Sequence, residues 1–169
     1  MRTKIQNKTA SAEIESLGAQ LMSLKNAEGT EYLWQGDPAF WSSRAPVLFP
    51  TVGNVRGGTT IINGKPYALK RHGFARNLEH SVLDSGANFI TYSLKDSEET
   101  RKLYPFAFEL RVTYRLVENG LTTEFAVFNR GDKELPFGIG GHPGFRCPLV
   151  PGERFEDYRI LFEKEETAD

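Results

Sequence analysis

At 169 residues, with 39% hydrophobic and 25% charged residues and a net charge of −1, the chain has the composition of one globular domain with a sizeable core. That charge balance excludes the basic field nucleic-acid binding needs, and no apolar run reaches bilayer-spanning length, so neither nucleic acid nor membrane is an expected partner. "MRTKIQNKTASAEIES" holds no apolar leader core, and the lone Cys147 cannot form an intrachain disulfide or a metal cluster; together they predict a soluble, cytoplasmic protein.

Period-two alternation dominates the chain. "SAEIES" (11–16) and "QLMSLK" (20–25) read as strands joined by a turn at "LGA". Asp37 before Pro38 predicts a short capped turn, "DPAFW". "TTIINGKPYAL" (59–69) is a hairpin about Asn63-Gly64, because Asn-Gly accepts the positive φ of a type I′ turn. "EHSVLD" (79–84) and "NFITYSLK" (88–95) read as strands flanking a turn at Ser85-Gly86. "DSEETRKLYP" (96–105) opens with cap-type and acidic residues and stops at Pro105, which predicts a short helix.

"FELRVTYRLVEN" (108–119) and "LTTEFAVFN" (121–129) form a second hairpin about Asn119-Gly120. In the first arm Phe108, Leu110, Val112, Tyr114 and Leu116 make a buried face, and Glu109, Arg111, Thr113 and Arg115 a wet one. "RFEDYRILFE" (154–163) alternates from Tyr158 onward and reads as a last strand, followed by the charged stretch "FEKEETAD". No repeat or linker divides the chain, so the fold class is all-β: an antiparallel β-sandwich of hairpins. Nothing returns to cover the last strand, so the charged tail is either a solvated end or a cut that leaves the sandwich incomplete at its C-terminus.

Three stretches can carry chemistry. In "FGIGGHPGFRCP" (137–148), Pro143 restricts His142 to extended backbone, and four glycines strip side chains from around one imidazole. An isolated histidine is more often structural than catalytic. A residue needed only for packing, however, would have bulky neighbours, whereas bare surroundings make room for a ligand. In "KRHGFAR" (70–76), His72 stands beside Arg71 and near Arg76; the plain alternative is a polar loop anchored by Phe74 and Ala75. A guanidinium makes several planar donations, suited to hydroxyls, carboxylates or phosphates.

In "APVLFPTVGNVRGG" (45–58), a buried edge strand leads to Asn54 and Arg56, which face either solvent or a pocket. His80, in "NLEHSVL", reads as an ordinary half-exposed histidine. Trp34 and Trp41 can stack on a sugar face but are more often core anchors. The sequence has no metal-ligand spacing, phosphate loop or serine nucleophile elbow, so no metal or cofactor is expected.

Taken together and in this order, "LGAQLMSLKNAEGTEYLWQGDPAFWSSRAPVLFPTVGNVRGG", "HGFAR", "GGHPGF" and "CPLVPGERFEDY" resemble the aldose 1-epimerase (galactose mutarotase-like) family, in its LacX-type branch. The likeness runs over essentially the whole chain. It implies a large antiparallel β-supersandwich and the interconversion of the α and β anomers of a hexose by acid–base ring opening. The resemblance assigns the general acid to His142, sugar binding and orientation near the ring oxygen to His72, and a sugar contact to Arg56, with Asn54 near it.

Family members are about twice this length and carry their general base, a glutamate, and a sugar-binding aspartate in the second half. Glu163, Glu165 and Glu166 do not match that base. The resemblance therefore makes residues 1–169 the N-terminal portion of a single mutarotase-like domain, poorly active or inactive alone. "HGFAR" is similar to hexose-6-phosphate 1-epimerases as well, where an arginine cluster binds phosphate; Arg56, Arg71 and Arg76 could supply one here. A non-catalytic carbohydrate-binding sandwich is the remaining alternative. The expected partner is a small-molecule sugar or sugar phosphate.

Overall fold

A computed structural model describes residues 1–118, 120–165 and 167. In chain order the strands are β1 (Arg2–Gln6), β2 (Ala10–Glu15), β3 (Gln20–Asn26), β4 (Val47–Leu48), β5 (Thr59–Ile62), β6 (Lys65–Ala68), β7 (Ser81–Gly86) and β8 (Phe89–Lys95). One short helix follows, α1 (Glu98–Leu103), and then β9 (Phe108–Val117), β10 (Gly120–Asn129) and β11 (Gly140–Gly141). They assemble into a three-stranded sheet β1-β2-β3, a four-stranded sheet β10-β9-β8-β7, and two short pairs, β11-β4 and β5-β6. Every strand pair is antiparallel.

The core lies between the two larger sheets. Along β9, alternate residues Phe108, Leu110, Val112 and Leu116 are almost completely buried, and β1, β2 and β8 contribute Ile5, Ile14 and Ile90. Full burial of one such side chain contributes about 1.5–3 kcal/mol, which makes this face the main source of stability. Hydroxyls tie the layers together: Tyr92 donates to Thr3 Oγ1 (3.2 Å) and Tyr114 to the Ala19 carbonyl (2.8 Å). The Asn63-Gly64 hairpin forms as its sequence requires, with φ of 52° and 75°. Ser97 caps α1 in a reciprocal pair with Thr100, and the helix ends ahead of Pro105. Asp37 likewise accepts from the Ala39 amide in the "DPAFW" turn.

Several expectations need correction. β1 is an additional strand; only Ile5 in it is buried, too little to give a sequence period. β7 runs through Ser85 and Gly86, and the turn falls at Ala87-Asn88. The second long hairpin is present as β9–β10, while its turn residue Asn119 lies outside the described residues. The expected strand at 154–163 does not form: a 3-10 turn, Phe155–Asp157, is followed by irregular backbone with Ile160 and Leu161 more than four-fifths exposed. No described strand lies alongside to pair with it.

His80 is buried, 3% exposed, rather than half-exposed. Its Nδ1 lies 3.0 Å from the Leu78 carbonyl, its Nε2 has no partner, and burial pushes its pKa down. No helix among the described residues is long and apolar enough to cross a membrane.

Glu109, expected on a wet face, is 2% exposed. Arg111 Nε donates to its Oε1 at 2.7 Å, Arg130 Nη2 to its Oε2 at 2.5 Å, and Ser93 to Oε1 at 3.1 Å. Those donors, the Arg111 hydrogen bond foremost, pull its pKa from 4.5 to about 2. A carboxylate depressed on folding stabilises fully above its unfolded pKa, and that contribution is lost as pH falls through the folded value. Glu109→Gln should therefore cost about 2–3 kcal/mol at neutral pH, the low end for breaking a buried pair because both arginines reach water. Denaturant titrations should show the deficit shrinking between pH 4.5 and 2. An equal deficit at pH 7 and pH 2 would refute the ionic origin.

Candidate active site

The site is built on the Phe49 carbonyl. Gly73 pairs with Phe49 in an isolated parallel bridge, and the amides of Phe74 and Ala75 donate to the Phe49 oxygen at 3.0 and 3.2 Å. "HGFAR" is thereby wrapped around the end of β4. To enter that wrap the chain turns at Lys70–Gly73, closed by the Gly73 amide on the Lys70 carbonyl (2.9 Å), and His72 takes a φ of 68°. A non-glycine residue in that region costs of order 1–3 kcal/mol and needs fixing from outside. Gly53 fixes it twice: the His72 amide donates to the Gly53 carbonyl (2.9 Å), and the Gly53 amide donates to His72 Nδ1 (3.0 Å).

The second bond sets the tautomer. A backbone amide can only donate, so Nδ1 accepts and the neutral ring carries its proton on Nε2. Arg71 Nε lies 3.1 Å from that nitrogen. Two N–H groups then face each other, and the contact cannot be a hydrogen bond in this tautomer. The exposed Arg71 side chain is the one free to turn away, and an acceptor oxygen there would take both protons. Burial, followed by the charges of Arg71, Arg76 and His142, pushes the His72 pKa down, which keeps the ring a neutral donor.

His142 arrives from the other side. β11 pairs with β4, Gly141 opposite Val47, and the His142 amide continues the ladder to the Pro46 carbonyl (3.1 Å). Its exposed ring stands with its centroid 5.7 Å from that of His72. The two sequence-distant motifs therefore converge because β4 lies between them, pairing with one and accepting the wrap of the other. No side chain among the described residues hydrogen-bonds the His142 ring.

Arg76 Nη2 donates to the Arg71 carbonyl (3.1 Å), so both arginines stand beside His72. Asn54 and Arg71 line one shallow depression, together with Val55, Gly57 and Lys70. Arg56, in the 3-10 turn Arg56–Gly58, projects exposed from the same loop and makes no hydrogen bond among the described residues. A roomier cleft between the β5–β6 hairpin and residues 133–138 contains neither imidazole. Its ionisable side chains are Lys133, Glu134 and Tyr104, and burial pushes the Tyr104 hydroxyl, which donates to the Pro136 carbonyl, far above its usual pKa. The paired imidazoles are the better candidate for proton transfer. Among the described residues no cluster of three or more His, Cys, Asp or Glu could hold a metal ion.

Sequence reasoning did not connect Trp41 to the site. Its ring lies 5.2 Å from His142, tilted by 60°. The one available signal was Gly144: a Cβ there would meet Trp41 at 2.8 Å and Trp34 Cβ at 3.1 Å.

Comparison with known proteins identifies the family and the fold. The family model described as aldose 1-epimerase matches residues 1–169. The chromosomal LacX protein of Lactococcus lactis subsp. lactis is 39% identical over 174 aligned residues, covering 99% of this chain and 58% of that relative. A protein of Escherichia coli K12, provisionally named glucose-6-phosphate 1-epimerase, is 32% identical over 69% of this chain and 39% of its own length. The structure of a galactose mutarotase related enzyme from Lactobacillus acidophilus superposes with a TM-score of 0.90 at 45% identity, covering 93% of this chain and 53% of that one. This chain thus spans about half the length of the relatives it matches.

Proposed function

The chain belongs to the aldose 1-epimerase family, and from that premise we propose that its two imidazoles form the acid side of a hexose ring-opening site. The observation that carries this reading is the 5.7 Å approach of His72 and His142, with His72 locked as a neutral Nε2–H donor by the Gly53 amide. Ring opening breaks the C1–O5 bond. The electron pair moves to O5, which takes a proton, while the C1 hydroxyl loses one and becomes a carbonyl. His142, exposed and without a hydrogen bond to its ring, is the proton donor to O5. His72 Nε2–H and Arg71 orient and polarise the same oxygen. After rotation about C1–C2 the transfers reverse and the other anomer closes. Residues 1–169 are the N-terminal portion of one mutarotase-like domain, and the general base belongs to the part of the relatives' length that this chain does not cover.

A sugar phosphate is the second reading. Arg71 and Arg76, linked at 3.1 Å beside His72, favour it, since guanidinium groups match phosphate oxygens with paired donations. Calorimetric titration separates the two. If a 6-phosphate sits on this pair, Arg76→Ala should weaken glucose 6-phosphate binding at least about tenfold, the loss of one charge-assisted contact, and leave free glucose nearly unchanged. Equal losses for both sugars would reject the phosphate reading, and binding of neither sugar by the unmodified chain would reject the site.

A further inference from the structure

We propose that Trp41 is a positioning residue: its indole is the wall that fixes the direction in which His142 presents its proton. The proposal rests on the reading of His142 as the acid. A general acid must come within about 2.6–3.2 Å of the oxygen it protonates, and a rotamer change swings an imidazole nitrogen well outside that reach. Hydrogen bonds usually restrain such a ring, yet none among the described residues reaches the His142 ring. What flanks it is aromatic: Trp41 at 5.2 Å and His72 at 5.7 Å. His72 is itself bound to Gly53, so the Trp41 contact sets the remaining freedom.

The surroundings are built to hold that contact. Trp34 Nε1 donates to the Trp41 carbonyl (2.7 Å), and the Trp41 amide donates to the Asp37 carbonyl (2.8 Å). The loop carrying Trp41 is then pinned to the histidine loop at Gly144. There the Trp34 amide donates to the Gly144 carbonyl (2.9 Å) and the Gly144 amide to the Arg44 carbonyl (2.7 Å). Arg44 is anchored in turn on the Met22 carbonyl and Gln35. Any side chain at Gly144 would occupy the space the indole uses. The hydrogen bonds thus fix the backbone of the loop that carries Trp41, and the bare Gly144 leaves the indole room beside the imidazole.

The test is the imidazole NMR spectrum of the 169-residue chain, with and without hexose, for the unmodified protein, Trp41→Phe, Trp41→Leu and Gly144→Ala. The His142 ring protons should lie upfield through the indole ring current. The shift should shrink but persist in Trp41→Phe, and be lost in both Trp41→Leu and Gly144→Ala, while the His72 ring signals stay in place. Hexose affinity should change less than about threefold in Trp41→Phe. The discriminating readout is the His142 side-chain rotamer, taken from its Hα–Hβ couplings, which Trp41→Leu and Gly144→Ala should both average. A purely structural Trp41 would lose the ring-current shift by proximity alone yet leave those couplings unaveraged in the folded fraction, and that outcome overturns the proposal. So does loss of hexose binding in Trp41→Leu with an unchanged His142 rotamer, which would make the indole a sugar contact. If the ring-current pattern holds but the unmodified chain binds no hexose, the contact stands and the acid assignment falls.

Discussion

Freshly dissolved α-glucose or α-galactose should reach anomeric equilibrium about 10²–10⁴-fold more slowly with this chain than with an aldose 1-epimerase carrying both proton-transfer groups, because one such group typically contributes that factor. The expectation follows from what surrounds the imidazoles. His72 has arginines and a backbone amide as neighbours, His142 has Trp41 and His72, and no carboxylate among the described residues hydrogen-bonds either ring. An acid without a base protonates O5 but leaves the C1 hydroxyl proton to water. Polarimetry measures the rate directly, and a small residual acceleration that vanishes in His142→Asn is the expected signature of the acid acting alone. A rate equal to that of a complete epimerase would mean that a base lies within these residues, and the division of roles would be wrong.

Gly73→Ala should destabilise the fold by roughly 4 kcal/mol or more, at the extreme of single substitutions, and remove hexose binding with it. Gly73 has a φ of 69°, and a Cβ there would overlap the Phe49 carbonyl oxygen and sit 2.7 Å from the Pro50 nitrogen. Both are backbone atoms that cannot step aside. Relief requires lifting "HGFAR" off Phe49, which breaks the amide bonds of Phe74 and Ala75 and releases His72 from Gly53. Gly57→Ala is the internal control. Its φ of 66° carries the same backbone penalty, but nothing lies within 4 Å of a Cβ, so about 1 kcal/mol is expected. Chemical denaturation of the two variants gives the comparison. Similar losses would show that backbone strain alone, and not the close approach to Phe49, makes glycine necessary at 73.

Local physics explains which parts of the fold were legible in the sequence. Asn63-Gly64 specifies its own turn, and the ten-residue alternation of β9 encodes its buried face, so both could be read directly. β1 could not, because pairing with β2 rather than its single buried residue makes it a strand. Alternation at 158–163 misled because alternation alone does not make a strand; a neighbour to pair with is required. Glu109 and His80 were misplaced because burial of a polar residue depends on partners distant in sequence: Arg130 for one, the Ser16 carbonyl that receives the His80 amide for the other. The two histidine motifs stood out as candidates because glycine and proline crowd around His142 and arginines flank His72. Their meeting depends on β4, a two-residue strand that carries no period of its own.

The most direct measurement is a hexose titration followed at both imidazoles at once by NMR. If His72 and His142 form one sugar site, both rings should shift along a single saturation curve with one dissociation constant. In that case His142→Asn should leave the His72 curve within a few-fold of its original midpoint, since an acid is required chiefly in the transition state. Two curves with different midpoints, or shifts at only one ring, would contradict a shared site.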